Sequence, residues 1–330
     1  MRKGLSRPGE RGVAKRAALP VLLLSALTGY AGPQAPARQD RDAEPFRISV
    51  DVALVVLQAT VTDRRGGFVS NLGESNFGVY ENGVAQSIRL FRNEDVPVTV
   101  GLVVDESSSM QSKLEEVSAA ARSFARSSNP NDEMFVVNFN EKVRLGLPEA
   151  IRFTHNTVEL VNAINTVPAG GQTALYDAIA KALGELQAGS RDKKVLIVVS
   201  DGGDNASKHN SLARVMTLAE ESSAVIYTIG VFDQDDEDRN PAVLKRLAQS
   251  TGGEAFFPRQ LSEVVPICEG IAQDIRHQYT IGYVPTNMAR DGAYRGIRVR
   301  AEAQGHKLSV RTRTGYIAGN EAPAGGKGAK

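Results

Sequence analysis

The residues best equipped for chemistry stand at Asp105, Ser107 and Ser109, in the stretch DESSSM that follows the apolar run VTVGLVV. A strand interior needs neither acids nor hydroxyls, so this placement, where the run gives out, points to the rim of a sheet. Two further positions share that character. The run KKVLIVVS leads into SDGGDN, which puts Asp201 after a second strand, and the Gly-rich loop AGGQTAL delivers Thr173 at the head of a helix. Two carboxylates and three hydroxyls, with no sulfur and no imidazole, make a hard-oxygen set. Mg²⁺, or Mn²⁺ or Ca²⁺, is the kind of ion that takes such donors. Alternation lets residues 105, 107 and 109 point one way while Glu106 and Ser108 point elsewhere. Helix capping would account for Asp105 or Thr173 singly, but not for the serines and Asp201 as well.

Such a rim needs a sheet beneath it. VPVTVGLVV, EMFVVNFN, KKVLIVVS and AVIYTIGVF are short, nearly continuous apolar runs, as expected of parallel strands covered on both faces. Between them, helical spacing aligns Leu114, Val117, Ala121 and Phe124, then Leu175, Ile179, Leu183 and Leu186, then Leu212, Val215, Met216 and Ala219. Another helix begins at NPAV, with Asn240 as cap and Pro241 in first position, and ends before Gly252-Gly253. Strands alternating with helices predict an α/β domain, doubly wound around a mostly parallel sheet, over residues 96–275. Sites in such sheets gather at the carboxyl ends of the strands. The flanking segments 46–95 and 276–318 read as β, and Asn82-Gly83 between two apolar runs signals a hairpin. Neither segment has strands enough for its own core; together they supply roughly seven, which predicts a smaller flanking β-sandwich-like domain.

On these residues the chain resembles von Willebrand factor type A (VWFA) domains. Asp105-x-Ser107-x-Ser109, Thr173 and Asp201 match that family's metal-ion-dependent adhesion site, and STGGEAFF at 250–257 is similar to its late Thr-Gly-Gly turn and last strand. The lead segment VTDRRGGFVSNLGESNFGVYENGVAQSIRLF resembles that of an exported, acidobacterial-type VWFA-related family. The resemblance implies a metal held directly by the serines and threonine and partly through water by the aspartates. One coordination position is left for a partner's carboxylate. The expected function is therefore a divalent-metal-dependent, adhesion-type protein-binding module and not an enzyme, its partner a protein or peptide engaged through an acidic side chain. A structural envelope-assembly module with a degenerate metal site is the alternative. A metal-dependent phosphatase of the haloacid dehalogenase type ranks lower, because it needs a second aspartate two residues after the first, where this chain has Ser107.

Composition narrows the partners. With 39 basic and 38 acidic residues the net charge is +1, which argues against nucleic acid. Arg2, Lys3, Arg7, Arg11, Lys15 and Arg16 precede AALPVLLLSALTGYAG, and Gly29 and Ala31 are small. Residues 1–31 thus read as a signal peptide, too short in apolar length to span a bilayer, and the expected location is secreted or periplasmic. Residues 32–45 read as a linker and 319–330 as a flexible tail. The single cysteine, Cys268, lies in an apolar helical pattern and reads as core. FDQDDEDRN at 232–240 lacks the glycine and final glutamate of an EF-hand and reads as a solvated acidic loop. His155, His209, His277 and His306 show no ligand spacing.

Overall fold

The four apolar runs become the middle of one sheet in the computed structural model, which describes residues 54–164, 166, 169–232 and 239–319. The leader-like segment 1–31, the linker 32–45, residues 233–238 of the acidic loop and the tail from 320 lie outside the described residues. The chain opens with β1 (Val55–Thr62), β2 (Phe77–Glu81), β3 (Val84–Gln86) and β4 (Ile88–Arg92). The α/β part follows: β5 (Val98–Asp105), α1 (Leu114–Ser127), β6 (Glu133–Phe139), β7 (Val143–Leu145), α2 (Thr157–Ile164), α3 (Leu175–Leu186) and β8 (Lys193–Ser200). It continues through α4 (Leu212–Glu221), β9 (Val225–Gly230), α5 (Pro241–Thr251), β10 (Ala255–Phe256) and α6 (Val264–Arg276). The chain returns to β structure with β11 (Tyr279–Tyr283), β12 (Tyr294–Ala303), β13 (His306–Lys307), β14 (Ser309–Arg311) and β15 (Gly315–Ile317).

The central sheet runs in the order β10-β9-β8-β5-β6-β7 and is parallel except for β7, which pairs antiparallel with β6. Every residue of β5 and of β8 is buried, which is why these runs carry no alternation: helices cover both faces. Val117, Ala121 and Phe124 of α1, Leu175, Ile179, Leu183 and Leu186 of α3, and Val215, Met216 and Ala219 of α4 all enter one core with the strands. Cys268 belongs to it too, and burial pushes its thiol up to about 12, which suits a packing residue and not a nucleophile. Asn240 caps α5 by accepting from Val243 N–H at 3.3 Å, Pro241 stands in its first turn, and Gly252 ends it at φ +85°.

The flanking strands interleave across the chain. One antiparallel sheet orders β14-β1-β11-β4, and a second orders β13-β12-β2-β3 with β15 also on β12. Strands from before and after the α/β part therefore pair directly: Val55 opposes Tyr283 and Ile297 opposes Glu81. Leu57, Ala59, Val61, Val79, Tyr279, Ile281, Tyr283, Val299 and Ala301 fill a second core between these sheets. Asn82 (φ 47°) and Gly83 (φ 84°) make the β2–β3 turn, as the hairpin signal requires. The described strands here number nine, against the roughly seven expected. The difference arises because residues 306–317 switch sheets: β13 and β15 lie on β12 while β14 between them lies on β1. Among the described residues no helix is long and apolar enough to cross a membrane.

Candidate metal centre

β5 and β8 lie side by side, so their carboxyl ends bring the loops after Asp105 and Ser200 together. Asp105 is fully buried, and Ser107, Thr173 and Asp201 are nearly so. Ser107 Oγ and Ser109 Oγ are 3.1 Å apart, and Ser109 Oγ donates to Asp201 Oδ2 at 2.5 Å. Asp105 joins from below: Oδ1 accepts from Ser107 N–H at 2.9 Å and Oδ2 from the Ser200 hydroxyl at 2.6 Å. Two carboxylates and three hydroxyls from the ends of two strands thus form one connected cluster.

Thr173 arrives on a third loop, docked through its backbone. Its N–H donates to Asn205 Oδ1 at 2.8 Å, and its carbonyl accepts from Asn205 and Ala206 N–H at 3.0 Å each. The same loop is tied to the first, because Gly171 O accepts from Ser108 N–H and from Ser108 Oγ, both at 3.2 Å, and Gly170 N–H donates to Glu106 O at 2.8 Å. Gly171 has φ +83°, and a Cβ there would overlap the Glu141 carboxylate. Only glycine meets both conditions without strain. The loop after β8 is held in turn by α3: Asp177 accepts from Lys208 N–H at 2.9 Å, His209 N–H at 3.2 Å, and Asn210 N–H at 2.8 Å.

The electrostatics are those of anions gathered out of water. Burial drives the Asp105 carboxyl up to about 6; bonds from Ser200 and Ser107 oppose the rise and the charge of Asp201 adds to it. Next to it, Glu106 is 1% exposed, neither of its side-chain oxygens has a hydrogen-bond partner among the described residues, and burial drives it up to about 7 against the pull of Arg144. A hard dication would relieve the Asp105–Asp201 repulsion, and the oxygen set suits it. Clusters of three or more His, Cys, Asp or Glu with metal-holding geometry are absent among the described residues, so any such ion rests on hydroxyls as much as on carboxylates.

Three participants escaped the sequence reading. Ser200 and Asn205 are polar residues inside SDGGDN whose partners, Asp105 and Thr173, lie 95 and 32 residues away; only the position of Ser200 directly before Asp201 hinted at it. Glu106 lies between the alternate positions that share a face, and its burial without a donor among the described residues has no signature in sequence. His209 takes part through its backbone N–H, which helps hold the loop after β8, while His277 stacks on Phe68.

The chain is similar to a von Willebrand factor type A structure from Catenulispora acidiphila, at 13% identity over 82% of this chain and 74% of that one, with a TM-score of 0.49. It is also similar to the vWF domain of the type V pili tip protein Mfa5 from Porphyromonas gingivalis (16% identity, 55% of this chain, 95% of that one, TM-score 0.46). A third similarity is to proximal thread matrix protein 1 from the mussel byssus with a zinc-occupied MIDAS motif (19% identity, 58% of this chain, 48% of that one, TM-score 0.47). No curated protein matches the chain. The family model for the von Willebrand factor type A domain matches residues 99–266, just over half of the 330 residues, and on that match the chain belongs to the von Willebrand factor type A domain family.

Proposed function

We propose that the strand-end cluster is a divalent-cation site through which the protein binds an acidic group of a protein partner. The residues that would hold the ion are Asp105, Ser107, Ser109, Thr173 and Asp201, with Mg²⁺ the first candidate and Mn²⁺ or Ca²⁺ the others. The observation that carries the reading is the connected run Ser107–Ser109–Asp201 standing over the buried Asp105 carboxylate. A bound dication supplies a Lewis-acidic centre that an incoming carboxylate can complete. Two carboxylates nearly neutralise such an ion and neutral hydroxyls leave it electrophilic, so an acid gains more than a neutral ligand. Ser200 holds Asp105 by one oxygen and so fixes which of its lone pairs remain for the cluster. The reading is a binding module and not an enzyme, since Ser107 occupies the place where a phosphatase of the aspartate-nucleophile type keeps its general acid.

Calorimetry with Mg²⁺, Mn²⁺ and Ca²⁺ titrated separately into wild type and Asp105→Ala tests the site. Wild type should bind at least one of them, and metal at a hundred times its dissociation constant should raise stability by about 2.7 kcal/mol. Asp105→Ala should lose that gain and keep its fold. Absence of binding in the millimolar range for all three ions overturns the site. Capture of partners with Mg²⁺ and with EDTA tests the bridge: a partner indifferent to EDTA leaves a structural module, the second reading. Export is part of this proposal and rests on the basic lead and apolar run of residues 1–31; an intact Met1 on protein recovered from its native host would remove it.

A further inference from the structure

Far along the chain from the metal cluster, β12 is left open at its centre. Its even-numbered residues bond towards β2, as Gly296 O does in accepting from Asn82 N–H at 2.8 Å. Its odd-numbered residues face the other edge, where Ile297 N–H donates to Thr314 O at 2.8 Å and Ala301 O accepts from Leu308 N–H at 3.0 Å. Between these two bonds the covering chain leaves: residues 309–311 pair with β1 instead. No strand pairs with this edge of β12 between residues 296 and 302 among the described residues, so Val299 presents both its N–H and its C=O to a groove of about 680 Å³.

The groove is strongly basic. Five cationic side chains and one acidic one, Glu302, line it. Two of the five are committed elsewhere: Arg311 to Asp274, and Arg313 to the carbonyls of Gly315 and Ser222. Arg298, Arg300 and Lys307 are exposed, and Arg300 lies over the Tyr80 ring at 5.1 Å. A free strand edge asks for a ligand that both donates and accepts along an extended backbone. Polyphosphate offers acceptors alone and leaves the Val299 carbonyl unanswered, and the hydroxyl donors of a sulfated sugar do not alternate with acceptors at the spacing of a strand edge. A peptide offers both, and the cationic rim selects acidic side chains on it.

We propose that this groove binds an extended acidic peptide segment, which adds as a short strand to the open centre of β12 between Arg298, Arg300 and Lys307. The interaction is independent of metal. Fluorescence anisotropy with a labelled nine-residue peptide of alternating glutamate and threonine or valine tests it on the full chain. Binding should survive EDTA and the Asp105→Ala change, and should weaken at least tenfold when Arg298→Glu and Arg300→Glu are combined. Both side chains are exposed, so circular dichroism should show the variant folded. Two further versions of the peptide, N-methylated at its odd or at its even amides, block one strand edge each; at least one should bind tenfold more weakly, since it loses the donors that face β12. Equal binding of both methylated peptides overturns the strand-addition proposal in favour of plain charge attraction. Unchanged binding by the double variant overturns the location. Loss of binding in EDTA moves the peptide to the metal cluster and overturns it as well.

Discussion

Asp132 sits at the foot of the sheet, away from the rim, and is 4% exposed. Its Oδ1 accepts from Val98 N–H at 2.8 Å and its Oδ2 from Asn129 N–H at 3.1 Å, so it fixes the entry to β5 from the entry to β6. Burial nevertheless wins over these bonds and drives the carboxyl up to about 6 from an ordinary 3.8, with Asp95 adding to the rise and Lys193 opposing it. A folded-state value above the unfolded one means that the folded protein holds the proton more tightly. Stability from this residue is then fully present below about pH 4, falls as pH rises through the window from 4 to 6, and is level above it. Two units correspond to at most about 3 kcal/mol. Asp132→Asn cannot accept both bonds and will start lower, but its slope should differ. Urea midpoints from pH 4.5 to 7 should show wild type losing about 1–2 kcal/mol more than the variant across that range. Parallel curves would show that Asp132 ionises normally in the fold.

At the level of elements, what was legible in the sequence was local. The apolar runs of β5, β6, β8 and β9, the Asn240–Pro241 start and Gly252 end of α5, and the Asn82-Gly83 turn each carry their cause within a few residues. The rim followed, because residues closing a parallel strand must emerge at its carboxyl end. What stayed illegible depends on distant partners. Residues 306–317 read as β, but their division into β13, β14 and β15, two or three residues each, follows from β14 joining β1 about 250 residues earlier. Ser200 and Asn205 gain meaning only once Asp105 and Thr173 stand beside them. The loop from Gly170 to Thr173 offers a test at this scale. Gly171→Ala meets both an unfavourable φ and the Glu141 carboxylate; the exposed Glu141 side chain can swing aside, so the φ strain is what shifts the loop held to Ser108. Under the proposed metal site, Mn²⁺ affinity should fall about tenfold while thermal stability in EDTA changes by about 1–2 kcal/mol. Glu141→Ala in the same chain removes the overlap but not the φ strain, so it should restore little of the affinity. Wild-type affinity in Gly171→Ala alone would show that the loop position is irrelevant to the ion.

Across the whole molecule, the two cores meet at one buried carboxylate. Asp274 of α6 is 4% exposed; its Oδ1 accepts from Thr60 Oγ1 of β1 at 2.6 Å, and its Oδ2 accepts from Tyr227 OH of β9 at 2.7 Å and from Arg311 of β14. Gln278 adds a bond to Tyr227 OH at 2.9 Å, and Arg311 reaches Gly252 O at 2.8 Å. The network joins the central sheet, its last helix and both ends of the flanking β structure, so its members come from four separate elements. Removing one partner from such a buried network costs more than the bonds it made, because the others stay desolvated. Asp274→Ala takes the acceptor from the Tyr227 and Thr60 hydroxyl protons, since Gln278 only donates to those oxygens, and leaves Arg311 the Gly252 carbonyl and the more distant Glu254 carboxylate, at 3.4 Å. The expected loss is about 3–5 kcal/mol. If the network couples the two cores, differential scanning calorimetry of wild type and variant will each show a single transition, with the variant's some 6–15 °C lower. Should the variant instead unfold in two steps, the upper one near the wild-type temperature, the α/β core and the flanking sheets are independent and Asp274 merely joins them. Asp274→Asn separates charge from shape: it keeps an acceptor for Thr60 or Tyr227 but not the negative charge, so a loss as large as that of alanine would assign the coupling to the Arg311 pair.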